Sequence, residues 1–147
     1  MSTERGQKQK VLVLCTGNSC RSQMAEGWLR HFAGGRVDVF SAGIEAHGLN
    51  PTAVEVMREA GIDISGHTSK TIDDLGSRDF DIVITVCDNA REQCPYFPAR
   101  VRQLHHDFPD PAKVRGTREE ILTAFRAVRD QIRIYCQAVV IQHIKPG

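Results

Sequence analysis

Apolar residues fall in short blocks separated by polar stretches, and the blocks differ in period. Residues 11–14 (Val-Leu-Val-Leu) are continuously apolar and stop at Cys15, the pattern of a strand buried on both faces. Beyond the next loop Met24, Trp28 and Phe32 recur every four residues with Ala25 and Leu29 beside them. This predicts one face of a helix, stopped by Gly34 and Gly35. Residues 37–42 alternate and read as a second strand. Asn50 and Pro51 offer a cap and a first-turn proline for a helix running to about residue 60 and ended by Gly61. Residues 81–86 form another strand block ending at Cys87, and residues 101–104 a weaker fourth. Thr117 and Glu120 make a capping box for a long C-terminal helix with Ile121, Phe125, Val128 and Ile132 facing inward. The longest irregular stretch is 95–116, rich in proline and charge.

Strands alternating with helices predict an α/β fold. The expected architecture is a single-domain three-layer sandwich, a four-stranded parallel sheet with helices on both faces. Nothing repeats and no linker divides the chain. The expected organisation is a flexible N-terminal segment over residues 1–9 and one catalytic domain over 10–147. Ligands in such sheets bind at the carboxyl ends of the strands, where Cys15 and Cys87 fall.

Composition narrows the function. The formal net charge of +1 gives no general electrostatic case for nucleic acid or an anionic membrane. The first ten residues are polar, and no apolar run approaches the roughly 20 residues a membrane span needs. A cytoplasmic monomer is expected. Five cysteines in a reducing compartment, an odd number, do not make a static disulfide framework. They are buried, metal-bound or reactive.

The segment Cys15-Thr16-Gly17-Asn18-Ser19-Cys20-Arg21-Ser22 lies between the first strand and the first helix. A thiol stands at the strand end. The backbone N–H groups from Thr16 through Gly17, Asn18, Ser19 and Cys20 are placed to wrap a tetrahedral oxyanion, and Arg21 closes the ring in the first helical turn. The same field favours a thiolate at Cys15, with Ser22 offering it a hydroxyl. A bare Cys-x5-Arg is a weak signal; its place between strand and helix, with serine after the arginine, makes it strong. A buried structural cysteine beside a surface arginine is the plain alternative. No Gly-Lys-Ser/Thr follows the glycine, which excludes an ATP-type phosphate loop.

At these residues, continuing through Gln23-Met24-Ala25-Glu26-Gly27-Trp28, the chain resembles the thioredoxin-coupled arsenate reductases, which share the low-molecular-weight protein tyrosine phosphatase fold. The likeness extends through Ser41-Ala42-Gly43-Ile44-Glu45 and His67-Thr68-Ser69. The phosphatase branch usually has proline after Arg-Ser; here Gln23 follows. The resemblance implies that Cys15 attacks arsenate, Cys87 resolves the adduct as a Cys15–Cys87 disulfide, and Cys94 moves it to Cys87–Cys94 for reduction by thioredoxin. It also implies Asp110, in Asp110-Pro111, as the proton donor, with Asp107 the nearby competitor. Asn18 would brace the loop. Some members bind potassium through residues matching Asn18, Glu26, Ser41 and an acidic residue, where this chain carries Lys70. The expectation is that the Lys70 ammonium replaces that ion and pairs with Glu26, so no metal or organic cofactor is expected.

Other readings stay open. Cys87 and Cys94 could be zinc ligands with His105 and His106, although their six-residue gap is wide for a knuckle, or they could be inert thiols. Cys136, inward on the last helix, reads as core. A phosphatase, a non-enzymatic oxyanion or redox sensor, and a glutaredoxin-coupled reductase are the competing functions.

Overall fold

The computed structural model describes residues 8–146. The main elements are, in chain order, β1 (Gln9–Cys15), α1 (Arg21–Ala33), β2 (Val37–Gly43), α2 (Pro51–Glu59), β3 (Ile82–Thr85), β4 (Arg102–His105) and α3 (Arg118–His143). The four strands form one all-parallel sheet in the order β2-β1-β3-β4. The expected α/β class and four-stranded parallel sheet are thus present. Of the N-terminal segment, residues 1–7 lie outside the described residues, as does Gly147. β1 begins at Gln9, one residue ahead of the expected domain start.

Local chemistry sets the element ends. The Asn50 carboxamide accepts N–H bonds from Thr52 and Ala53, and Pro51 opens the helix. Thr117 and Glu120 form the reciprocal capping box that starts α3. The Gly34 left-handed backbone (φ 61°) ends α1.

The two faces of the sheet are covered differently. Val11 and Val13 of β1, with Ile82 and Ile84 of β3, pack into a large cluster with Met24 and Trp28, Val56 and Met57, and Phe125 and Ile132. All three α-helices therefore share this face. The alternate residues Leu12, Leu14 and Val83 point into a smaller cluster with Phe80 and Phe97. That face is covered by a short 3-10 turn (Ile72–Asp74) and by connecting segments. The period-2 alternation of a buried strand requires both covers. Cys136 is fully buried within the larger cluster, as its helix position implied. No helix among the described residues is long and apolar enough to cross a membrane.

Parallel packing brings the functional segments together. β1 pairs with β2 so that Cys15 lies opposite Gly43, and with β3 so that Leu14 lies opposite Thr85. Continuing the second register by one residue sets Cys15 beside Val86, immediately before Cys87. Neighbouring strands stand about 4.8 Å apart, so both cysteines emerge at the same sheet edge.

Candidate active site

The loop after β1 is held from outside. Its carbonyl oxygens at Thr16, Gly17 and Ser19 accept N–H bonds from Glu45 (3.0 Å), His47 (2.9 Å) and Asn50 (3.2 Å). The Asn18 carbonyl accepts from Gln23 Nε2 at 3.1 Å. Every described peptide bond is trans, and across a trans peptide the N–H points opposite to the C=O. Fixing these four carbonyls outward therefore turns the N–H groups of Gly17, Asn18, Ser19 and Cys20 inward. At the start of α1 no side chain caps the helix, which leaves its first amides and its positive end to an anion.

Asn18 is the centre of the brace. It is fully buried and adopts a left-handed backbone, φ 47°, a conformation asparagine tolerates better than most residues. Its Oδ1 accepts from the Lys70 backbone N–H (2.8 Å) and from Gln23 Nε2 (3.1 Å). Its Nδ2 donates to Ser22 Oγ (2.9 Å) and Ser41 Oγ (3.0 Å). The Ser41 hydroxyl in turn donates to Glu26 Oε1 at 2.6 Å. Ser22 Oγ, which accepts from Asn18, lies 2.9 Å from Cys15 Sγ and can donate its proton to that sulfur when it is a thiolate. The hydrogen-bond chain from Asn18 thus reaches the sulfur.

The expected Lys70–Glu26 pair is not formed. The Lys70 ammonium donates to the Thr68 carbonyl at 3.0 Å, while Glu26 Oε2 takes Arg30 (Nη2, 2.8 Å), one helical turn away on α1. Lys70 supports the loop through its backbone N–H instead. The oxygens the resemblance would give to potassium are engaged: Asn18 Oδ1 by two donors, Glu26 by Ser41 and Arg30. His67 stands beside Glu26 (3.8 Å) and Gln23, and burial pushes its pKa below the usual histidine value.

The loop borders a cavity of about 310 Å³ lined by Cys15, Thr16, Gly17, Ser19, Cys20, Arg21, His47, Glu92, Asp110, Ala112 and Lys113. Arg21 is 3% exposed. Its guanidinium donates to the Phe108 carbonyl (3.1 Å), stands 3.6 Å from Asp110 Oδ2, and binds both oxygens of Glu92. Asp110 is itself oriented by the Ala112 N–H on its Oδ1 (3.0 Å). Its competitor Asp107 is turned away, accepting from the Asn89 N–H (3.1 Å) and meeting the His105 ring at 2.6 Å. Asp110 and not Asp107 therefore lines the cavity that Cys15 borders.

Cys87 and Cys94 are joined as a disulfide, with Cα atoms 5.9 Å apart. The zinc reading, which needs both thiols as ligands, has no support in this pairing. Cys87 is fully buried, while Cys94 is half-buried. The other two thiols are chemically quiet. Burial, with the nearby Asp110 charge, pushes Cys20 up to about 12, and complete burial raises Cys136 well above the usual thiol value.

Sequence reasoning missed Glu92, His47, Gly43 and Arg30. A Cβ on Gly43 would lie 2.6 Å from the carbonyl oxygens of Thr16 and Glu45 and 2.8 Å from the Asn18 nitrogen, so only glycine lets β2 close on the loop. Two signals were available: Arg30 one helical turn from Glu26, and Gln23, which replaces a proline of the phosphatase branch and whose amide braces Asn18.

A strand-end cysteine, a loop of inward amides and a helical arginine define the class. The chain belongs to the low molecular weight phosphotyrosine protein phosphatase family, whose profile matches residues 10–146. Within that family it stands with the arsenate reductases. An arsenate reductase of Bacillus licheniformis is 55% identical over 125 residues, covering 85% of this chain and 90% of that protein. A solved arsenate reductase in a phosphate-binding state superposes with a TM-score of 0.72 at 33% identity, over 91% of this chain and 98% of that one. A thioredoxin-dependent arsenate reductase of Corynebacterium glutamicum superposes with a TM-score of 0.64 at 26% identity, over 94% of this chain and 65% of that one.

Proposed function

We propose that the chain reduces arsenate to arsenite through Cys15, Cys87 and Cys94, and that thioredoxin returns the electrons. The observation that carries this reading is the Cys87–Cys94 disulfide beside the Cys15 loop, since a phosphatase needs one thiol and has no use for an adjacent redox pair. Cys15 attacks arsenic, and an arsenic-bound hydroxyl leaves as water on taking a proton from Asp110. Cys87 then attacks the Cys15 sulfur. The electron pair of the S–As bond goes to arsenic, arsenite departs, and a Cys15–Cys87 disulfide remains. Cys94 attacks Cys87 and frees Cys15.

The half-buried Cys94 is the accessible sulfur for an incoming thiolate, Cys87 being fully buried. The neighbouring Tyr96 is 76% exposed, as suits a face that meets another protein. Residual phosphatase activity is compatible with this loop, because phosphate and arsenate have the same shape and charge.

The test is NADPH oxidation in the presence of arsenate, thioredoxin and thioredoxin reductase. Cys15→Ser, Cys87→Ser and Cys94→Ser should each abolish turnover. Full activity in Cys87→Ser or Cys94→Ser would remove the three-cysteine relay, whereas phosphoester hydrolysis by a wild type that oxidises no NADPH would leave a phosphatase. Turnover with glutathione and glutaredoxin in place of thioredoxin would change the electron donor alone.

A further inference from the structure

The disulfide-closed segment places one of its own side chains where the substrate belongs. Among the residues between Cys87 and Cys94, only Glu92 lines the oxyanion cavity. Its two carboxylate oxygens face the two terminal nitrogens of Arg21, Nη2 to Oε1 at 2.9 Å and Nη1 to Oε2 closer still. The Thr16 hydroxyl donates to Oε1, and the Asp88 backbone N–H donates to Oε2 at 3.1 Å. The guanidinium fork that would hold two oxygens of arsenate is thus already filled by a planar pair of oxygens. The ion pair is shielded, with side-chain exposures of 4% and 12%. Burial opposes a charged Glu92, but the Arg21, Thr16 and Asp88 hydrogen bonds outweigh it and hold its pKa down to about 2. The carboxylate is therefore anionic throughout the neutral range.

The turn that aims Glu92 depends on the closed ring. The N–H groups of Arg91 and Glu92 both donate to the Asp88 carbonyl at 3.0 Å, folding the segment back on itself. Cys87 fixes one end at the sheet edge, and the disulfide ties the other end 5.9 Å from it, Cα to Cα. Ala90, Arg91 and Gln93 are exposed and add little to hold the turn. Reduction to two thiols removes the covalent tie and leaves the Glu92 contacts and the Asn89 bond to Asp107 to hold the segment.

We infer that Glu92 is a built-in competitor of the oxyanion, docked on Arg21 when Cys87 and Cys94 are joined and released when they are reduced. The inference rests on the relay proposed above, in which the disulfide is an on-cycle form. Its value to the cycle is chemical. An arsenate that met Cys15 while Cys87 was still bonded to Cys94 would form an adduct with no thiol to resolve it. A dianion beside Glu92 and Asp110 would also crowd a third anionic group onto one guanidinium. Glu92 therefore tunes when the site binds, by redox state, without taking part in bond making.

Inorganic phosphate titrated calorimetrically into the disulfide and dithiol forms near pH 7 tests this without turnover. For the wild-type protein, phosphate should bind about tenfold or more weakly to the disulfide form, the scale of a lost charge-assisted contact. Glu92→Gln should tighten the disulfide form toward the dithiol value while leaving the dithiol form within about twofold. Glu92→Asp keeps the charge with a shorter reach and should fall between, which separates charge from a general disturbance of the segment. Equal phosphate affinity in the two wild-type forms, or a Glu92→Gln disulfide form as weak as wild type, would overturn the inference. Because only binding is read, either result stands apart from the cysteine-variant assay of the relay.

Discussion

Two segments of this molecule begin at the end of a parallel strand with a cysteine, and they are held in opposite ways. The Cys15–Ser22 loop has its carbonyls taken by residues 45–50 and Gln23, and its central Asn18 is fully buried with all its side-chain groups bonded. The segment from Cys87 to Cys94 is half exposed and is secured by its disulfide, by Glu92 on Arg21, and by Asn89 on Asp107. A site that must present several amides to an anion needs its geometry set in advance. A thiol that must travel between two partners needs a backbone with few buried contacts. One sheet edge supplies both.

The contrast is broken most severely from the rigid side. Gly43→Ala would drive a methyl group against three backbone atoms of the loop and its neighbour, so kcat/KM for arsenate should fall by about a hundredfold or more. Ala90→Gly, on the exposed turn of the disulfide-closed segment, should change the same constant by less than about threefold. Steady-state kinetics on the two variants checks the pair; similar losses in both would mean that the two segments are equally constrained.

A smaller effect sharpens the comparison from the side of the disulfide-closed segment. The Glu92 pKa is lowered in the folded disulfide form, so its ion pair stabilises the protein above the ordinary glutamate range. That contribution is lost as pH falls from about 4.5 toward about 2. Thermal unfolding of the disulfide form over that window should show a steeper fall in Tm for wild type than for Glu92→Gln. Parallel curves would place no stability in the Arg21–Glu92 contact.

Period and capping made most of the fold legible. β1, α1 and α3 carry unbroken patterns and clear ends, and Cys15-x5-Arg21 sits where strand passes to helix. β4 was read one residue early because it is an edge strand whose residues are mostly exposed, so hydrophobicity marks it weakly. The gathering of all three α-helices on one face was not legible, because residues 72–80 and 97–99 cover the other face with little periodic structure. Lys70 was misread for a related reason. The loop after β2 brings its backbone to Asn18 and turns its ammonium to Thr68, and nothing in local sequence sets that direction. Arg30, one turn from Glu26 on the same helix, was the readable partner. Glu92 lies 71 residues from Arg21 in the chain, and only the disulfide-closed turn brings the two together.

The most direct test of the three-cysteine relay is a single turnover of fully reduced Cys94→Ser protein with arsenate, quenched in acid and mapped by peptide mass spectrometry. A Cys15–Cys87 disulfide should accumulate together with one equivalent of arsenite per chain, because the third thiol that would move it onward is missing. Arsenite released without that disulfide, or no arsenite at all while wild type turns over, would contradict the relay.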